Sequence, residues 1–516
     1  MKTKVFVARD NQIEEAELKE ASAVIRSGGL VAFPTETVYG LGGDATNPEA
    51  SRKIYAAKGR PSDNPLIVHI ADFSQLEDIV AEVPQEARDL AEAFWPGPLT
   101  MILRKNEVIP YETTGGLDTV AIRMPSHPVA RRFLQDSGCM IAAPSANTSG
   151  RPSPTTAQHV WEDLQGKIEV LLDGGPVGIG IESTIVDLSE DQPMILRPGF
   201  ITQEMLSQVL GQVGIDPGIA SENSKKPPKA PGMRYRHYAP KADLTLVEGH
   251  MDQVIAKINA LTGEAQVKGQ SVGVLATAEN QDAYIADHVI VIGQREDEAE
   301  IARHLFDVLR QFDTLGVDVI YSESFAAAGV GQAIMNRLLK AAGHKRIFVE
   351  GNFLGEEVTM EEIKRVIFAA GSGTSRAPMA AAIMKQMTEG KDIDVLARGV
   401  VVLFPEPMNQ KTEAVLISNG IAPDNFAAEQ LTAADIVPGT LILTMDEAQR
   451  VKVIEEIEGA DEDNTFVLST YVGDEIEVVD PYGASLQTYG LCFEVLKKSI
   501  EKLLAKLETD DKGGAS

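Results

Sequence analysis

Short apolar runs alternate with stretches of helical periodicity along most of the chain of 516 residues. Runs rich in β-branched residues predict strands, and the intervening segments with apolar residues three or four positions apart predict amphipathic helices. The predicted strands are LVAF, MILR, TVAIRM and MIAAPSA, then SVGVLAT, HVIVIG and DVIYSE, and finally RVIFAA, EAVLIS, LILTM and FVLST. This alternation is typical of α/β proteins with parallel or mixed sheets.

Two breaks rich in proline, glycine and lysine divide these elements into groups. The first contains DPGIASENSKKPPKAPGM and the second contains EGNFLGEEVTMEEIKR. Such segments bury little apolar surface and favour turns or extended chain. We therefore predict a first domain over 1–215, a linker over 216–241, a small three-layer α/β domain over 242–350 and a parallel-sheet domain over 365–516.

Composition narrows the class of protein. There are 47 Lys and Arg against 76 Asp and Glu, a net charge of −29, which disfavours durable binding of nucleic acid. Two cysteines, Cys139 and Cys492, without a CxxC motif cannot form a disulfide framework or a thiolate zinc site. No apolar stretch approaches a membrane span, so we expect a cytoplasmic protein that does not enter a membrane.

The first candidate site follows the strand LVAF. A turn rich in hydroxyls and glycines, PTETVYGLGG, leads into a helix that we expect Asn47 to cap, with Pro48 at its first position. After this helix, Lys58 and Arg60 stand two apart in a proline-stiffened segment, and His69 lies on the next strand. Basic side chains that follow a glycine-rich turn at a strand end predict a pocket for phosphate or carboxylate.

Further polar residues occur near the ends of later strands. Thr119 and Arg123 lie four apart in TVAIRMP, so they face the same side of a strand. Ser145 and Asn147 are two apart after MIAA, with Ser153 beyond them. Later strand ends add Ser183, Thr184 and Arg197. The string GPVGIG precedes a strand instead of opening a helix, which argues against a dinucleotide-binding loop.

These motifs occur in a specific order. The succession PTETVYGL, KGRPxxNPLxVH, TVAIRxP, APSANxSGxPSPT, STIVD and LRPG resembles the threonylcarbamoyl-AMP synthase family, and PGMRYRHYAP with the domain after it resembles the longer form of that family. The resemblance implies a mixed twisted sheet in the first domain and an activity that forms threonylcarbamoyl-AMP and pyrophosphate from L-threonine, bicarbonate or CO2, and ATP. It further implies that Mg²⁺ accompanies ATP, that the protein has no metal site of its own, and that the product passes to a tRNA threonylcarbamoyl transferase complex.

The resemblance also assigns residues by position. Lys58 and Arg60 are expected to be catalytic. L-threonine is expected to meet Thr37, His69, Arg123, Ala143 and Ser183, with Arg123 on the substrate carboxylate. ATP is expected to meet Arg60, Asn64, Thr119, Ser145, Asn147, Ser153, Arg197 and a linker tyrosine, Tyr235 or as second choice Tyr238. The linker is expected to act as a lid that excludes water from the pocket.

The last domain carries a different motif. RVIFAAGSGTSRAP followed by DPYG resembles the low-molecular-weight tyrosine or arginine phosphatases, whose loop is C-x5-R with Ser or Thr next. Counting back six from Arg376 reaches Ala370 at the position of the nucleophilic cysteine, and Ala377 stands at the position of the hydroxyl, whereas Asp480 matches the general acid. A methyl group cannot attack phosphorus, so we expect this domain to be inactive in phosphate hydrolysis.

Other functions stay open at this point. The first domain could form a different carbamoyl or acyl adenylate, or the chain could be a regulator that binds a nucleotide or a phosphorylated ligand. The third domain could still be an active phosphatase. Amino-acid-dependent release of pyrophosphate, tRNA binding and hydrolysis of p-nitrophenyl phosphate separate these possibilities.

Overall fold

A computed structural model describes residues 1–190, 192–216, 238–326, 329–349, 363–390, 393–402, 404–423, 426–461, 464–473, 478 and 480–509. The chain forms two compact units, Met1–Gly351 and Asn352–Ser516. The first and second predicted domains therefore belong to one unit. Most of the predicted linker, and with it the predicted lid, lies outside the described residues.

The described residues of the first domain form eleven strands and eight helices. Its strands are β1 (Lys4–Val7), β2 (Val31–Phe33), β3 (Gly40–Asp44), β4 (Ile67–His69), β5 (Leu99–Arg104), β6 (Thr119–Arg123), β7 (Ile141–Ala142), β8 (Val170–Asp173), β9 (Thr184–Asp187), β10 (Met194–Arg197) and β11 (Gly214–Ile215). Its helices are α1 (Glu15–Arg26), α2 (Pro48–Lys58), α3 (Ser74–Ile79), α4 (Gln85–Phe94), α5 (Tyr111–Thr114), α6 (Pro128–Ser137), α7 (Ala157–Leu164) and α8 (Gln203–Leu210).

These strands form one mixed sheet, in the order β1-β8-β2-β3-β7-β4-β6-β5-β9-β10-β11. The sheet contains parallel pairs such as β4 with β6 and antiparallel pairs such as β4 with β7. The predicted mixed sheet is confirmed. The centre of the sheet brings β3, β7, β4 and β6 side by side, so strand ends that are far apart in sequence become neighbours.

Helix α2 shows how local sequence sets these elements. Asn47 caps it by accepting a hydrogen bond from the backbone N–H of Glu49 at 3.0 Å, and Pro48 occupies the first turn, as predicted. Gly59 ends the helix in the left-handed conformation with φ of 63°, which glycine adopts without strain. The helix therefore delivers Lys58 and Arg60 to the same turn.

In the part of the second domain that the structure describes, there are five strands and three helices. They are β12 (Asp243–Gly249), α9 (Met251–Val267), β13 (Val272–Ala276), β14 (His288–Val291), α10 (Glu298–Leu315), β15 (Val319–Glu323), α11 (Gly329–Ala341) and β16 (Arg346–Val349), with a 3-10 helix over Ala278–Ala283. All sheet pairings are parallel, in the order β14-β13-β15-β12-β16. This agrees with the predicted three-layer α/β unit.

The first and second domains share a hydrophobic core. Val38 and Ile181 of the first domain pack in one buried cluster with Leu305 and Phe306 of α10. Gly180 lies at this contact with φ of +89°, and a Cβ added there would come within 2.3 Å of the Cα of Arg303. The string GPVGIG is thus followed by strand β9 and packs against a neighbouring helix, as expected of a loop that does not hold a dinucleotide.

The second unit contains a four-stranded parallel sheet in the order β18-β17-β19-β20. Its elements are β17 (Arg365–Ala370), α12 (Arg376–Met387), β18 (Asp394–Gly399), α13 (Gln410–Ser418), β19 (Thr440–Thr444), α14 (Glu447–Glu456), β20 (Thr465–Val467), α15 (Leu468–Tyr471) and α16 (Leu486–Thr509), with a 3-10 helix over Ala433–Asp435. The predicted parallel sheet is confirmed.

Two predicted strands of the second unit differ from the structure. FVLST is a strand only at its first two residues, because Leu468–Tyr471 form helix α15. EAVLIS lies in helix α13, which Asn409 caps by accepting from the N–H of Lys411. The buried residues of this helix, Thr412, Val415 and Leu416, are three and four positions apart, which is the helical period. A segment of six residues with four apolar ones is too short to reveal that period. Among the described residues, no helix is long and apolar enough to span a membrane.

Candidate active site

A cavity with about 560 Å³ of empty volume opens where the central strands of the first domain end. We call it the main cavity. It is lined by Thr35, Thr37, Val38, Tyr39, Gly40, Arg60, Ile67, His69, Arg123, Ala143, Pro144, Ser145, Glu182, Ser183, Arg197 and Tyr238. All five residues predicted for L-threonine line it, together with three of those predicted for ATP, Arg60, Ser145 and Arg197.

Strand pairing places the basic residues beside the hydroxyls. On the parallel strands β4 and β6, His69 is in register with Arg123. On β5, Thr100 is in register with Arg123 and its hydroxyl lies 2.7 Å from the hydroxyl of Ser183. The isolated bridge between Gly40 and Ser145 brings a further strand end to the same place.

The turn after β2 is held by its own hydroxyls. Thr35 Oγ1 accepts from the backbone N–H groups of Thr37 and Val38 at 3.2 and 3.3 Å and donates to the carbonyl of Val38 at 2.6 Å. Such a turn is a common use of threonine. It fixes Thr37, which accepts a hydrogen bond from Arg123 Nη1 at 2.8 Å.

Arg123 forms a buried ion pair with Glu36. Arg123 Nη2 lies 2.6 Å from Glu36 Oε1, and their side chains are only 5% and 12% exposed. Burial acts to raise the pKa of Glu36, but the charge of Arg123, its hydrogen bond and those of backbone N–H groups together outweigh burial, so the pKa lies below its ordinary value. The N–H of Ser126 also donates to this carboxylate at 3.0 Å. Glu36 thus holds the guanidinium that lines the main cavity.

His69 is buried in an electropositive surrounding. Burial, with Arg123 as the second cause, lowers its pKa to about 3. The ring meets Phe33 edge to face with centroids 5.9 Å apart. His69 is therefore a neutral imidazole at neutral pH and can exchange hydrogen bonds without adding charge.

This low pKa predicts a pH dependence of stability. The unfolded chain protonates His69 near its ordinary pKa of 6.5, whereas the folded chain resists protonation down to about 3. The contribution of His69 to the free energy of unfolding is complete above pH 6.5. It is lost as the pH falls from 6.5 towards 3, with a slope of about 1.4 kcal/mol per pH unit. We expect His69→Gln to flatten the fall of the unfolding free energy by about this slope, measured by urea unfolding between pH 6.5 and 4.5. The exposed His250→Gln serves as control, and equal slopes for wild type and His69→Gln contradict the prediction.

Lys58 is turned towards the backbone of a neighbouring loop. Its ammonium group donates to the carbonyls of Ser145 and Asn147 and to Asn147 Oδ1, the last at 3.3 Å. Burial, followed by the charge of Arg60, lowers the pKa of Lys58 well below its ordinary value. Lys58 is not among the residues that line the main cavity, and its contacts hold the segment that carries Ser145.

Two other arginines face the main cavity. Arg60 Nη2 donates to the carbonyls of Asn64 and Pro65 at 3.2 and 3.0 Å, whereas its inaccessible Nε finds no partner among the described residues. Arg197 donates from Nε to the carbonyl of Ser183 at 3.0 Å and from Nη2 to its hydroxyl at 3.1 Å. Burial lowers the pKa of each arginine to about 10, so both remain cations at neutral pH.

Other predicted residues lie behind the cavity wall. Ser153 donates to Glu182, and Asn147 Nδ2 donates to the carbonyls of Thr148 and Arg151 at 2.8 and 2.9 Å. Thr119 starts strand β6, and four residues of strand separate it from Arg123 by about 13 Å. The residues Asn64, Thr119, Asn147 and Ser153 do not line the main cavity.

Of the two candidate tyrosines, Tyr235 lies outside the described residues. Tyr238 lines the main cavity and is 5% exposed. Its ring packs 5.1 Å from that of Phe306 in the second domain, and burial raises its pKa to about 12. Tyr238, the first described residue after position 216, therefore forms part of the cavity wall.

Sequence reasoning did not find Glu182, which lines the cavity, or Glu36, which pairs with the cavity residue Arg123. Glu36 stands between two threonines in the PTET turn, and Glu182 directly precedes Ser183. Glu182 is 6% exposed and forms an ion pair with Arg337 of the second domain at 3.1 Å. Position next to a predicted site residue was the available signal for both.

A second, smaller pocket lies in the second unit, at the loop between β17 and α12. It is lined by Ala370, Gly371, Ser372, Gly373, Thr374, Ser375, Arg376, Asp480 and Tyr482. Arg376 donates to the carbonyl of Val478 at 2.7 Å and from Nη2 to Asp480 at 3.1 Å. The three predicted loop residues are thus brought together, and a methyl group stands at the end of the strand.

Fold and site together define a class of protein. Three buried or partly buried arginines and a neutral histidine at the strand ends of a mixed α/β sheet form a pocket suited to a polar, anionic substrate. No group of three or more metal-ligating side chains occurs in the part of the chain that the structure describes.

Comparisons with known proteins agree. Residues 23–199 match a family described as telomere recombination, residues 201–343 match the C-terminal domain of threonylcarbamoyl-AMP synthase, and residues 365–512 match low molecular weight phosphotyrosine protein phosphatase. The chain is 51% identical over 338 residues to the threonylcarbamoyl-AMP synthase of Pyrococcus abyssi, covering 66% of this chain and 97% of that protein. It is 50% identical over 351 residues to that of Bacillus subtilis, covering 67% of this chain and 100% of that protein.

A solved structure supports the same assignment. The crystal structure of P. abyssi Sua5 complexed with L-threonine aligns with a TM-score of 0.64 at 50% identity, over 67% of this chain and 100% of that one. The chain belongs to the threonylcarbamoyl-AMP synthase family and is an enzyme of nucleotidyltransferase type. The predicted resemblance is confirmed, and the chain adds a phosphatase-like domain to the synthase.

Proposed function

We propose that the first unit makes threonylcarbamoyl-AMP from L-threonine, bicarbonate or CO2, and ATP, and releases pyrophosphate. The observation that carries the proposal is that residues expected for both substrates line one cavity, where Arg60 Nε is buried without a partner among the described residues. A buried, unpartnered N–H of a cation is costly unless an anion accepts from it. A phosphate oxygen of ATP would supply that acceptor.

The proposed reaction has two steps. The amine of threonine attacks CO2, a C–N bond forms, and the amine loses a proton to give a carbamate. A carbamate oxygen then attacks the α-phosphorus of ATP, and the bond to the bridging oxygen of pyrophosphate breaks. Both nucleophiles belong to the substrates, so the protein acts by positioning and by placing fixed charge near the reacting atoms.

The cavity residues divide between these tasks. Arg123 is proposed to bind the carboxylate of threonine, because Glu36 and Thr37 fix its guanidinium and the described residues occupy only three of its five N–H groups. Neutral His69 and the Ser183 hydroxyl are proposed to hydrogen-bond the amino acid. Arg60 and Arg197 are proposed to meet the phosphates, and Lys58 is proposed to support them by holding the Ser145 loop.

Mg²⁺ is proposed to enter as part of the ATP substrate. Glu182, which lines the cavity, is paired with Arg337, and Glu36 beside the cavity is paired with Arg123, and this disfavours a protein-held metal. Mg²⁺ commonly binds through nucleotide phosphates and keeps several waters. The ion would neutralise charge on the phosphates while the arginines orient them.

The product is proposed to pass to a tRNA threonylcarbamoyl transferase complex for modification of adenosine in tRNA. The net charge of −29 supports transfer of the small product instead of direct binding of tRNA by this chain. A cytoplasmic location is proposed because Cys139 and Cys492 are free thiols, which suits a reducing compartment.

Pyrophosphate release tests the function. With ATP and bicarbonate, we expect release that requires threonine, is weaker with serine, and falls at least about 100-fold in Arg60→Ala, because a positioned cation at the reacting phosphate is lost. Arg52→Ala is the matched control, since this exposed arginine lies on helix α2 and pairs with Glu49 and Glu112. Release with another amino acid but not with threonine would identify a different adenylate former. Tight binding of ATP without release would indicate a regulator.

For the third domain we propose binding of a phosphorylated ligand without hydrolysis. Ser375 is 6% exposed, lines the loop pocket, and its hydroxyl finds no partner among the described residues. Backbone N–H groups at the start of α12 and the Arg376 guanidinium suit a phosphoryl group. Cys492 does not replace the missing thiolate, because burial raises its pKa to about 12. Phosphate binding and reintroduction of the thiol at Ala370 test this proposal together.

A further inference from the structure

Arg337 of the second domain is a fully buried cation with no assigned role. It lies in helix α11, and its exposure is 0%. Ile334 and Leu338 of the same helix are also fully buried, so the arginine stands on the apolar face of the helix. A guanidinium is placed in such a position only when several acceptors satisfy it.

Those acceptors belong to the first domain, and one of them, Glu182, lines the main cavity. Arg337 Nε donates to Glu182 Oε2 at 3.1 Å and Nη2 donates to the backbone carbonyl of Glu182 at 3.3 Å. Nη1 donates to the carbonyl of Pro198. The next residue after Glu182 is Ser183, and the residue before Pro198 is Arg197. The Arg337 side chain therefore binds two segments that each supply a cavity residue.

The same contacts neutralise the negative charge of Glu182. This carboxylate lines the main cavity, where a phosphate or carboxylate substrate would meet its repulsion. Burial acts to raise the pKa of Glu182, but Arg337 and then Arg197 outweigh burial and keep it below its ordinary value. Arg337 therefore neutralises an anion that the pocket contains permanently and that would otherwise draw Arg197 towards itself.

We propose that Arg337 is a positioning residue of the synthase, which reaches from the second domain to hold Ser183 and Arg197 in register and to neutralise Glu182. The proposal rests on the proposed synthase function. It assigns the second domain a direct part in shaping the substrate site. It also explains why this helix carries an arginine at a fully buried position.

The simpler alternative is that Arg337 only docks the two domains. Arg310 provides a matched test, because it is 3% exposed, belongs to the second domain and crosses the same interface. Its guanidinium pairs with Asp163 at 2.9 Å and donates to the carbonyl of Pro152. Neither residue lines the main cavity. A docking role predicts similar effects of the two arginines, and a positioning role predicts different ones.

The experiment compares Arg337→Met, Arg337→Lys and Arg310→Met in the full chain. Threonine-dependent pyrophosphate release gives kcat and both KM values, and thermal unfolding gives the loss of stability. In Arg337→Met we expect KM to rise for ATP and for threonine and kcat/KM to fall about 100-fold, because a small displacement of positioning groups has effects of this size. In Arg310→Met we expect a comparable fall in Tm but kcat/KM within about threefold of wild type.

Arg337→Lys separates geometry from charge and guards against a methionine variant that fails to fold. Lysine keeps a cation opposite Glu182 but lacks the planar fork that reaches two segments, so we expect kcat/KM to stay about tenfold below wild type. Wild-type values in Arg337→Lys, or equal losses of kcat/KM in Arg337→Met and Arg310→Met, overturn the positioning role. Absence of threonine-dependent release in the wild type overturns the synthase function instead, so the two failures are distinct.

Discussion

Arg123→Met is expected to abolish threonine-dependent pyrophosphate release and to lower the free energy of unfolding of the first unit by about 3–5 kcal/mol. The two effects have different causes. Activity is lost because the proposed partner of the substrate carboxylate is gone. Stability is lost because Glu36, with a side chain 12% exposed, is left as a buried carboxylate without its cation.

The double variant Arg123→Met with Glu36→Gln separates the causes. Removing both charges leaves no uncompensated ion, and we expect the double variant to regain at least about half of the lost stability, because replacing a buried pair is much less costly than breaking it. Activity should remain absent, since methionine cannot bind a carboxylate. Urea unfolding and pyrophosphate release on the same preparations measure both quantities.

Arg132→Ala is the control for this experiment. Arg132 pairs with Asp136 on the surface at 3.0 Å, and its side chain is 63% exposed, so its loss should change stability by less than about 1 kcal/mol. Substantial activity in Arg123→Met would remove Arg123 from the substrate site. A double variant as unstable as the single one would show that the buried charge of Glu36 is not the cause.

Local sequence predicted the secondary structure better than it predicted the interactions in the main cavity. The cap of α2 and the strand that carries Arg123 depend on neighbours within a few residues, so they could be predicted. The predicted strand EAVLIS was wrong because four apolar residues in a row carry too little periodicity to distinguish helix from strand. The residues of the substrate site came from the order of motifs, which indicated a family before any geometry was known.

The sequence did not reveal the ion pairs between residues that are far apart in the chain. Glu182 meets Arg337 across 155 positions, and Arg123 meets Glu36 across 87. Neither pairing follows from spacing, because register between distant strands and docking between domains are set by the whole core. Lys58 illustrates the same limit, since its type suggests a phosphate ligand but its ammonium is directed to a neighbouring loop.

The third domain offers the test with the largest expected gain of enzymatic activity. Ala370 ends strand β17 and lines the loop pocket with Arg376 and Asp480, so a methyl group, a cation and a carboxylate meet in this pocket. We expect the wild-type chain to bind inorganic phosphate or vanadate and to hydrolyse p-nitrophenyl phosphate no faster than buffer. Arg376→Met should weaken the binding at least about tenfold, because charge-assisted hydrogen bonds to the anion are lost.

Introducing a thiol at position 370 and a hydroxyl at position 377 should produce phosphate hydrolysis. In Ala370→Cys combined with Ala377→Ser, we expect vanadate-sensitive hydrolysis at least about 1,000-fold above the wild type, since a covalent nucleophile is responsible for most of the rate in enzymes that use one. Ala370→Ser is the matched control, because a hydroxyl at the same position is a far weaker nucleophile than a thiolate near a cation. Adding Arg376→Met to the active combination should remove its hydrolysis again. Vanadate-sensitive turnover by the wild type that Arg376→Met abolishes would contradict a binding-only domain, whereas failure of phosphate to bind the wild type would contradict a ligand site altogether.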